Sequence, residues 1–174
     1  NRAVILLTEQ LEYRAESEQT HDIGMYSPGG VHLELHYTLI ESNVVGKADE
    51  VLKAVWEQSL PGQDCHYRYV MSEEMFYHYH IAHMAKHFQN GGCGIRPLLD
   101  LWILNHNIVY NTERLNALLE EGGLLTFAGT ARQLADVWFG NGGHNSVTEE
   151  MEKYILSGGV YGTMDNRVAV QQIR

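Results

Sequence analysis

The sequence predicts an α+β fold, with a β-containing front over residues 1–45 and an all-helical bundle over residues 46–174. Three observations carry this reading. Val31, Leu33, Leu35, Tyr37 and Leu39 alternate with His32, Glu34, His36 and Thr38, the two-residue period of a strand. Beyond Gly46 the apolar residues recur instead at spacings of three and four, the period of helices. Strands and helices do not alternate along the chain, which excludes a doubly wound sheet. With 174 residues and 44% hydrophobic content, the chain can bury a real core.

Taken in order, residues 2–18 read as one helix, with Leu7 and Leu11 four apart and Glu-rich positions after them. His21 to Tyr26 is short and ends at Ser27-Pro28-Gly29-Gly30, a strong turn signal. It pairs with the alternating segment 31–41 as a β-hairpin. Asp49 to Ser59 places Val51, Leu52, Val55 and Trp56 at helical spacing and is stopped by Pro61-Gly62. Residues 64–71 fit a short strand or an extended linker. Ser72 can cap a helix that opens with Glu73 and Glu74 and runs to Asn90, where Gly91-Gly92 ends it. Ile95, Leu98, Leu99, Trp102 and Ile103 form a helical stripe with Pro97 near its start, which predicts a buried helix. Thr112 to Glu121 and Thr126 to Phe139 are two more helices. Ser146-Val147-Thr148-Glu149 has the pattern of a capping box and opens a last helix that ends at Ser157-Gly158-Gly159. Residues 160–174 show no strong period and read as a mobile tail.

Composition narrows the function classes. Twelve basic against 22 acidic residues give a formal charge of −10. That sign argues against nucleic acid or anionic membrane as partner. The apolar run 97–104 is broken by Asp100 and too short to span a bilayer. Val4 to Leu7 is too short for a secretory signal. Cys65 and Cys93 form no CxxC pair and read as free thiols in a reducing compartment, hence a cytoplasmic protein. The chain starts without Met and runs directly into an apolar pattern, as expected of a fragment.

Seven of the ten histidines lie within residues 21–36 and 78–87. His32, Glu34 and His36 share one face of a strand, about 6.6 Å apart in succession. Two imidazoles flanking a carboxylate can hold a divalent metal or place it beside a phosphate; a solvated hairpin face is the alternative. In the second window His80, His83 and His87 fall within roughly 60° on a helix, beside the apolar stripe of Tyr77, Ile81, Met84 and Phe88. His78 lies well round the other side. The line of imidazoles should be partly buried, with Asp100 on the next helix as the expected partner in a structural or supporting network. Arg96, four residues before Asp100, offers that carboxylate a local ion pair instead. The segment 157–162 lacks the residues of a phosphate loop and reads as a helix end.

Pro28-Gly29-Gly30-Val31-His32-Leu33-Glu34-Leu35-His36-Tyr37 is similar to a strand motif of a family of uncharacterised nucleotidyltransferases, part of the polymerase-β-like superfamily. His83-Met84-Ala85-Lys86-His87-Phe88, with Gly94-Ile95-Arg96-Pro97-Leu98-Leu99-Asp100-Leu101, resembles that family's pair of helices. Val137-Trp138-Phe139-Gly140 and Ile155 to Gly162 resemble its later blocks. The resemblance implies transfer of a nucleoside monophosphate from an NTP to an acceptor, with Mg²⁺ held by an Asp-x-Asp pair and a third carboxylate. It makes Glu34 that third carboxylate and a catalytic residue, with His32 beside it at the metal. It makes His36, Lys86 and Arg96 the candidates for binding nucleotide. No Asp-x-Asp occurs between Asn1 and Arg174, so this chain alone is expected to be inactive. Two other readings compete: a non-catalytic binding or regulatory module, and a metal-dependent hydrolase built on His80, His83, His87 and Asp100.

Overall fold

The computed structural model describes residues 2–18, 21–42 and 45–158, and divides the chain into two compact units, Asn1–Glu41 and Ser42–Arg174. The α+β class holds, with strands confined to the first unit apart from one two-residue pairing in the second.

The first unit opens with α1 (Arg2–Leu11), followed by three antiparallel strands in the order β1 (Arg14–Glu18), β2 (Asp22–Tyr26), β3 (His32–His36). The single helix expected over residues 2–18 is therefore a helix and a strand. Glu12 takes a left-handed φ of 55°, and the Tyr13 amide donates back to the Leu7 carbonyl at 2.9 Å, which closes the helix and reverses the chain. The hairpin forms where alternation places it, around a turn in which the Gly30 amide donates to the Ser27 carbonyl at 3.0 Å. It ends earlier than expected, at His36 rather than residue 41. Register pairs Ile23 with Leu35 and Met25 with Leu33 on the packed face. Ile23 and Met25 are buried, while His32, Glu34 and His36 look outward. The period-two alternation of the sequence thus becomes an apolar and a polar face.

In the second unit, α2 (Ala48–Leu52) and α3 (Val55–Gln58) replace the one helix expected from Asp49 to Ser59. A two-residue pairing, β4 (Leu60–Pro61) with β5 (Tyr69–Val70), brackets the segment left open as strand or linker. Five longer helices follow: α4 (Glu73–Gln89), α5 (Arg96–Asn107), α6 (Thr112–Glu121), α7 (Leu125–Phe139) and α8 (Ser146–Gly158). Helix α4 supplies the centre of the core with Met75, Tyr77, Ile81, Ala82 and Met84. Leu98 and Leu101 of α5, Leu115 and Leu119 of α6, and Leu134 of α7 close around it. Ser72 caps α4 as expected, its hydroxyl accepting from the Met75 amide at 3.2 Å.

Three expectations need correcting here. The α5 stripe is not a buried face: Ile95, Leu99 and Ile103 are exposed, and Leu98 and Leu101 make the core contact. The helix packs more on α7 than on its sequence neighbour α4, after a link that turns through positive-φ glycines at 91, 92 and 94. The cap of α8 is Asn145, whose Oδ1 accepts from the Val147 and Thr148 amides at 3.0 Å, while the Asn145 amide donates to the Thr148 hydroxyl at 2.9 Å. This reciprocal pair does the work assigned to Ser146 and Glu149. The expected tail, residues 160–174, and most of the 157–162 segment lie outside the described residues.

Candidate functional site

The polar face of the β2–β3 hairpin carries several ionisable groups of the first unit. Strand β3 sends His32, Glu34 and His36 to this face, and register places Tyr26, Gly24 and Asp22 directly opposite them on β2. Because Gly24 has no side chain, Glu34 has no cross-strand side chain at its own position. Its carboxylate is 57% exposed and stands 3.7 Å from Nε2 of His36. His32 is drawn the other way and stacks against Tyr26, ring centroids 4.7 Å apart. An open depression of about 500 Å³, lined by Glu12, Arg14, Tyr26, Ser27 and Pro28, lies at this Tyr26 end of the sheet.

At the opposite end of the face, two residues not foreseen from sequence join His36. His21 Nε2 lies 3.0 Å from the Asp22 carboxylate, and its Nδ1 lies 3.5 Å from Glu41. The His21 and His36 rings stand 5.7 Å apart. One ligand atom each from His21, Asp22 and His36 can be chosen so that all lie within 4.8 Å of one another. The signal was present in part, since strand period marks His36. Register across the turn, which brings Asp22 to it, cannot be read from spacing along one strand.

The second histidine window resolves differently. His80 Nε2 meets the Pro97 carbonyl at 2.9 Å and so ties α4 to the start of α5. His83 is exposed rather than partly buried, and its Nε2 meets that of His87 at 3.3 Å. Asp100 pairs with Arg96 at 3.8 Å; the expected contact from His83 or His87 to Asp100 is not formed among the described residues. The local i, i+4 pair won because Asp100 faces outward on α5, with its side chain 45% exposed. The imidazole that is buried is His78, completely so, with neither ring nitrogen hydrogen-bonded. Burial lowers its pKa from 6.5 to about 4. Its Nε2 packs so close to Gly122 that a Cβ there would sit 2.5 Å away.

Two further groups have structural roles. Glu74, expected only as a charge at a helix start, is buried and accepts the Asn111 amide at 2.9 Å, a bond that holds its carboxyl below the ordinary range. Cys93 is buried and free, and burial pushes its thiol up to about 12, which leaves no thiolate for chemistry near neutral pH. Cys65 is free and exposed. Among the described residues no helix is long and apolar enough to cross a membrane.

A sheet carrying an outward carboxylate beside imidazoles, followed by a helical unit, is the arrangement that the sequence motifs imply. The chain belongs to the family described as uncharacterised nucleotidyltransferase, whose pattern it matches over residues 2–140. Comparison with curated proteins and with solved structures gives no match. The family supports nucleotidyl transfer as the general kind of function, and with it an NTP and a divalent metal. Magnesium prefers six oxygen ligands in near-octahedral array. Glu34 offers one such oxygen ligand, it stands 3.7 Å from an imidazole nitrogen, and no Asp-x-Asp occurs in the sequence. One carboxylate does not make a complete magnesium site.

Proposed function

We propose that this chain contributes the third metal carboxylate, Glu34, to a Mg²⁺-dependent transfer of a nucleoside monophosphate from an NTP to an acceptor, and that it transfers nothing by itself. The observation that carries this reading is the position of Glu34, exposed on the polar hairpin face within the segment that matches the family. Bound magnesium would neutralise the triphosphate and polarise the acceptor oxygen. The protein's own part is to hold and orient. Glu34 supplies a fixed negative charge on a hydrogen-bonded strand, with His36 at its side. Arg96 presents a guanidinium 90% exposed, 3.8 Å from Asp100, and is suited to grip phosphate oxygens. Lys86 is proposed as a second phosphate cation. The partners are nucleotide and acceptor rather than nucleic acid, given the charge of −10, and the setting is cytoplasmic.

The reading is tested by incubating the 174-residue chain with α-labelled NTPs and Mg²⁺. Labelled transfer product is expected to stay at background, and turnover by this chain would overturn the claim of dependence on an Asp-x-Asp pair. A chain that carries the Asp-x-Asp strand together with these residues should transfer, and Glu34→Gln should depress its rate by orders of magnitude. An equal rate would remove Glu34 from the metal site and leave the hairpin as part of a binding module.

A further inference from the structure

We propose that His21, Asp22 and His36 form a site for a divalent first-row transition metal of the Zn²⁺ kind, with Glu41 orienting the His21 ring. The inference rests on the ring geometry and is independent of the transfer reading.

Both nitrogens of His21 face carboxylates: Nε2 is 3.0 Å from Asp22 and Nδ1 is 3.5 Å from Glu41. A neutral imidazole has one N–H, so one nitrogen would turn its lone pair toward a carboxylate. A cation between Nε2 and Asp22 removes that conflict. Lone pair and carboxylate then both bind the ion, and the Nδ1 proton is directed at Glu41. This is the carboxylate–histidine–metal arrangement by which proteins fix the tautomer of a ligating ring. At present Nδ1 is buried without a hydrogen bond, which a small rotation toward Glu41 would complete.

The distances suit such an ion. Tetrahedral ligands at bonds of 2.0–2.1 Å stand about 3.3 Å apart. The His21–Asp22 separation is already in that range. The remaining spread, up to 4.8 Å, closes by moving His36, whose side chain is 42% exposed. Hydrogen bonding fixes the frame, because Asp22 and His36 are partners across β2 and β3, and the Tyr37 amide donates to the His21 carbonyl at 2.8 Å. Two imidazole nitrogens and one carboxylate oxygen select Zn²⁺ or a similar ion over Mg²⁺, which favours oxygen alone. Three protein ligands leave a fourth position open. In this arrangement His36 serves the transition metal, while Arg96 and Lys86 remain the phosphate cations of the transfer reading.

The experiment is a titration of the chelator-treated 174-residue chain, free of nucleotide, with Co²⁺ followed by absorption and with Zn²⁺ followed by calorimetry. One equivalent should bind, Zn²⁺ should displace Co²⁺, and a large excess of Mg²⁺ should not. His36→Asn, at an exposed position, should weaken Zn²⁺ binding at least tenfold without changing thermal unfolding of the metal-free chain. His21→Asn should do the same, and Glu41→Gln should weaken binding about tenfold through the second carboxylate. His83→Asn serves as the control and should leave binding unchanged. Absence of stoichiometric binding would overturn the site. Binding unchanged by His36→Asn but lost in His83→Asn would place the ion on the helical histidines and overturn it equally.

Discussion

Two histidines, one in each unit, show how differently the two regions use the same side chain. His21 in the sheet unit stands between two carboxylates and keeps part of its surface in water. His78 in the helical unit is fully enclosed by the core and hydrogen-bonds to nothing. The first is placed where charge can gather, and the second where charge is excluded. The contrast extends to the surroundings. The polar face of β2–β3 carries exposed or half-exposed ionisable groups on a short hydrogen-bonded ladder, while several polar groups of the helical unit join its elements. His80 reaches a carbonyl, Glu74 an amide, and the Tyr154 hydroxyl donates to the Phe88 carbonyl at 2.8 Å. Changes at these joining groups of the helical unit should therefore be read in stability, and changes on the hairpin face in binding.

The largest stability effect should come from acid acting on His78. Its folded pKa, about 4, lies below the ordinary 6.5, so the unfolded chain takes up the proton first as pH falls. Stability from this group is complete above pH 6.5 and is lost as pH falls toward 4, about 3 kcal/mol in all. His78→Leu should shrink the acid-induced loss by about that amount, measured by urea unfolding at pH 7 and pH 4. An unchanged pH dependence would mean that His78 is protonated inside the fold.

Gly122→Ala comes next. The residue has an ordinary helical φ of −73°, so the backbone accepts alanine, but the new methyl meets His78 Nε2 at 2.5 Å. Gly46 approaches the same turn from the other side, at a φ of +51° and with the Gly122 carbonyl 2.6 Å from where its Cβ would be, so the turn has little room to yield. A loss of about 2 kcal/mol is expected by urea unfolding at pH 7. A loss below about 0.5 kcal/mol would show that the junction relaxes freely.

Asp100→Asn should have the smallest effect of the three. The carboxylate looks like a costly group inside an apolar run, yet its side chain is 45% exposed and, among the described residues, it pairs with Arg96 at 3.8 Å. Its replacement should change stability by less than about 0.5 kcal/mol. A loss several times larger would restore Asp100 to the buried network that the apolar run suggested.

These cases also show what a linear reading can and cannot reach. The hairpin was legible because β3 obeys a strict two-residue period, and that period alone put Glu34 and His36 on the polar face. Strand β1 escaped notice because Arg14-Ala15-Glu16-Ser17-Glu18 is an edge strand with almost no apolar residue to alternate. His21, Asp22 and Glu41 could not be joined to His36 from spacing, since their meeting depends on register across a turn and on the chain's path beyond β3. The helical wheel placed His78 away from the other three imidazoles correctly, but which side of α4 is covered depends on α6 and α7, distant in sequence. For the same reason the spacing of the α5 stripe suggests the core, although three of its five residues are exposed.

The central claim, that the hairpin face is a chemical site rather than a solvated surface, is tested most directly at Glu34. Mg²⁺-dependent binding of a fluorescent NTP analogue by the 174-residue chain and by Glu34→Gln should be compared alongside thermal unfolding of both. The glutamine keeps the size of the side chain and removes only its charge. The account predicts weak binding by the parent chain, loss of its Mg²⁺ dependence in the variant, and coincident unfolding curves. Equal Mg²⁺-dependent binding by two equally stable proteins would contradict it.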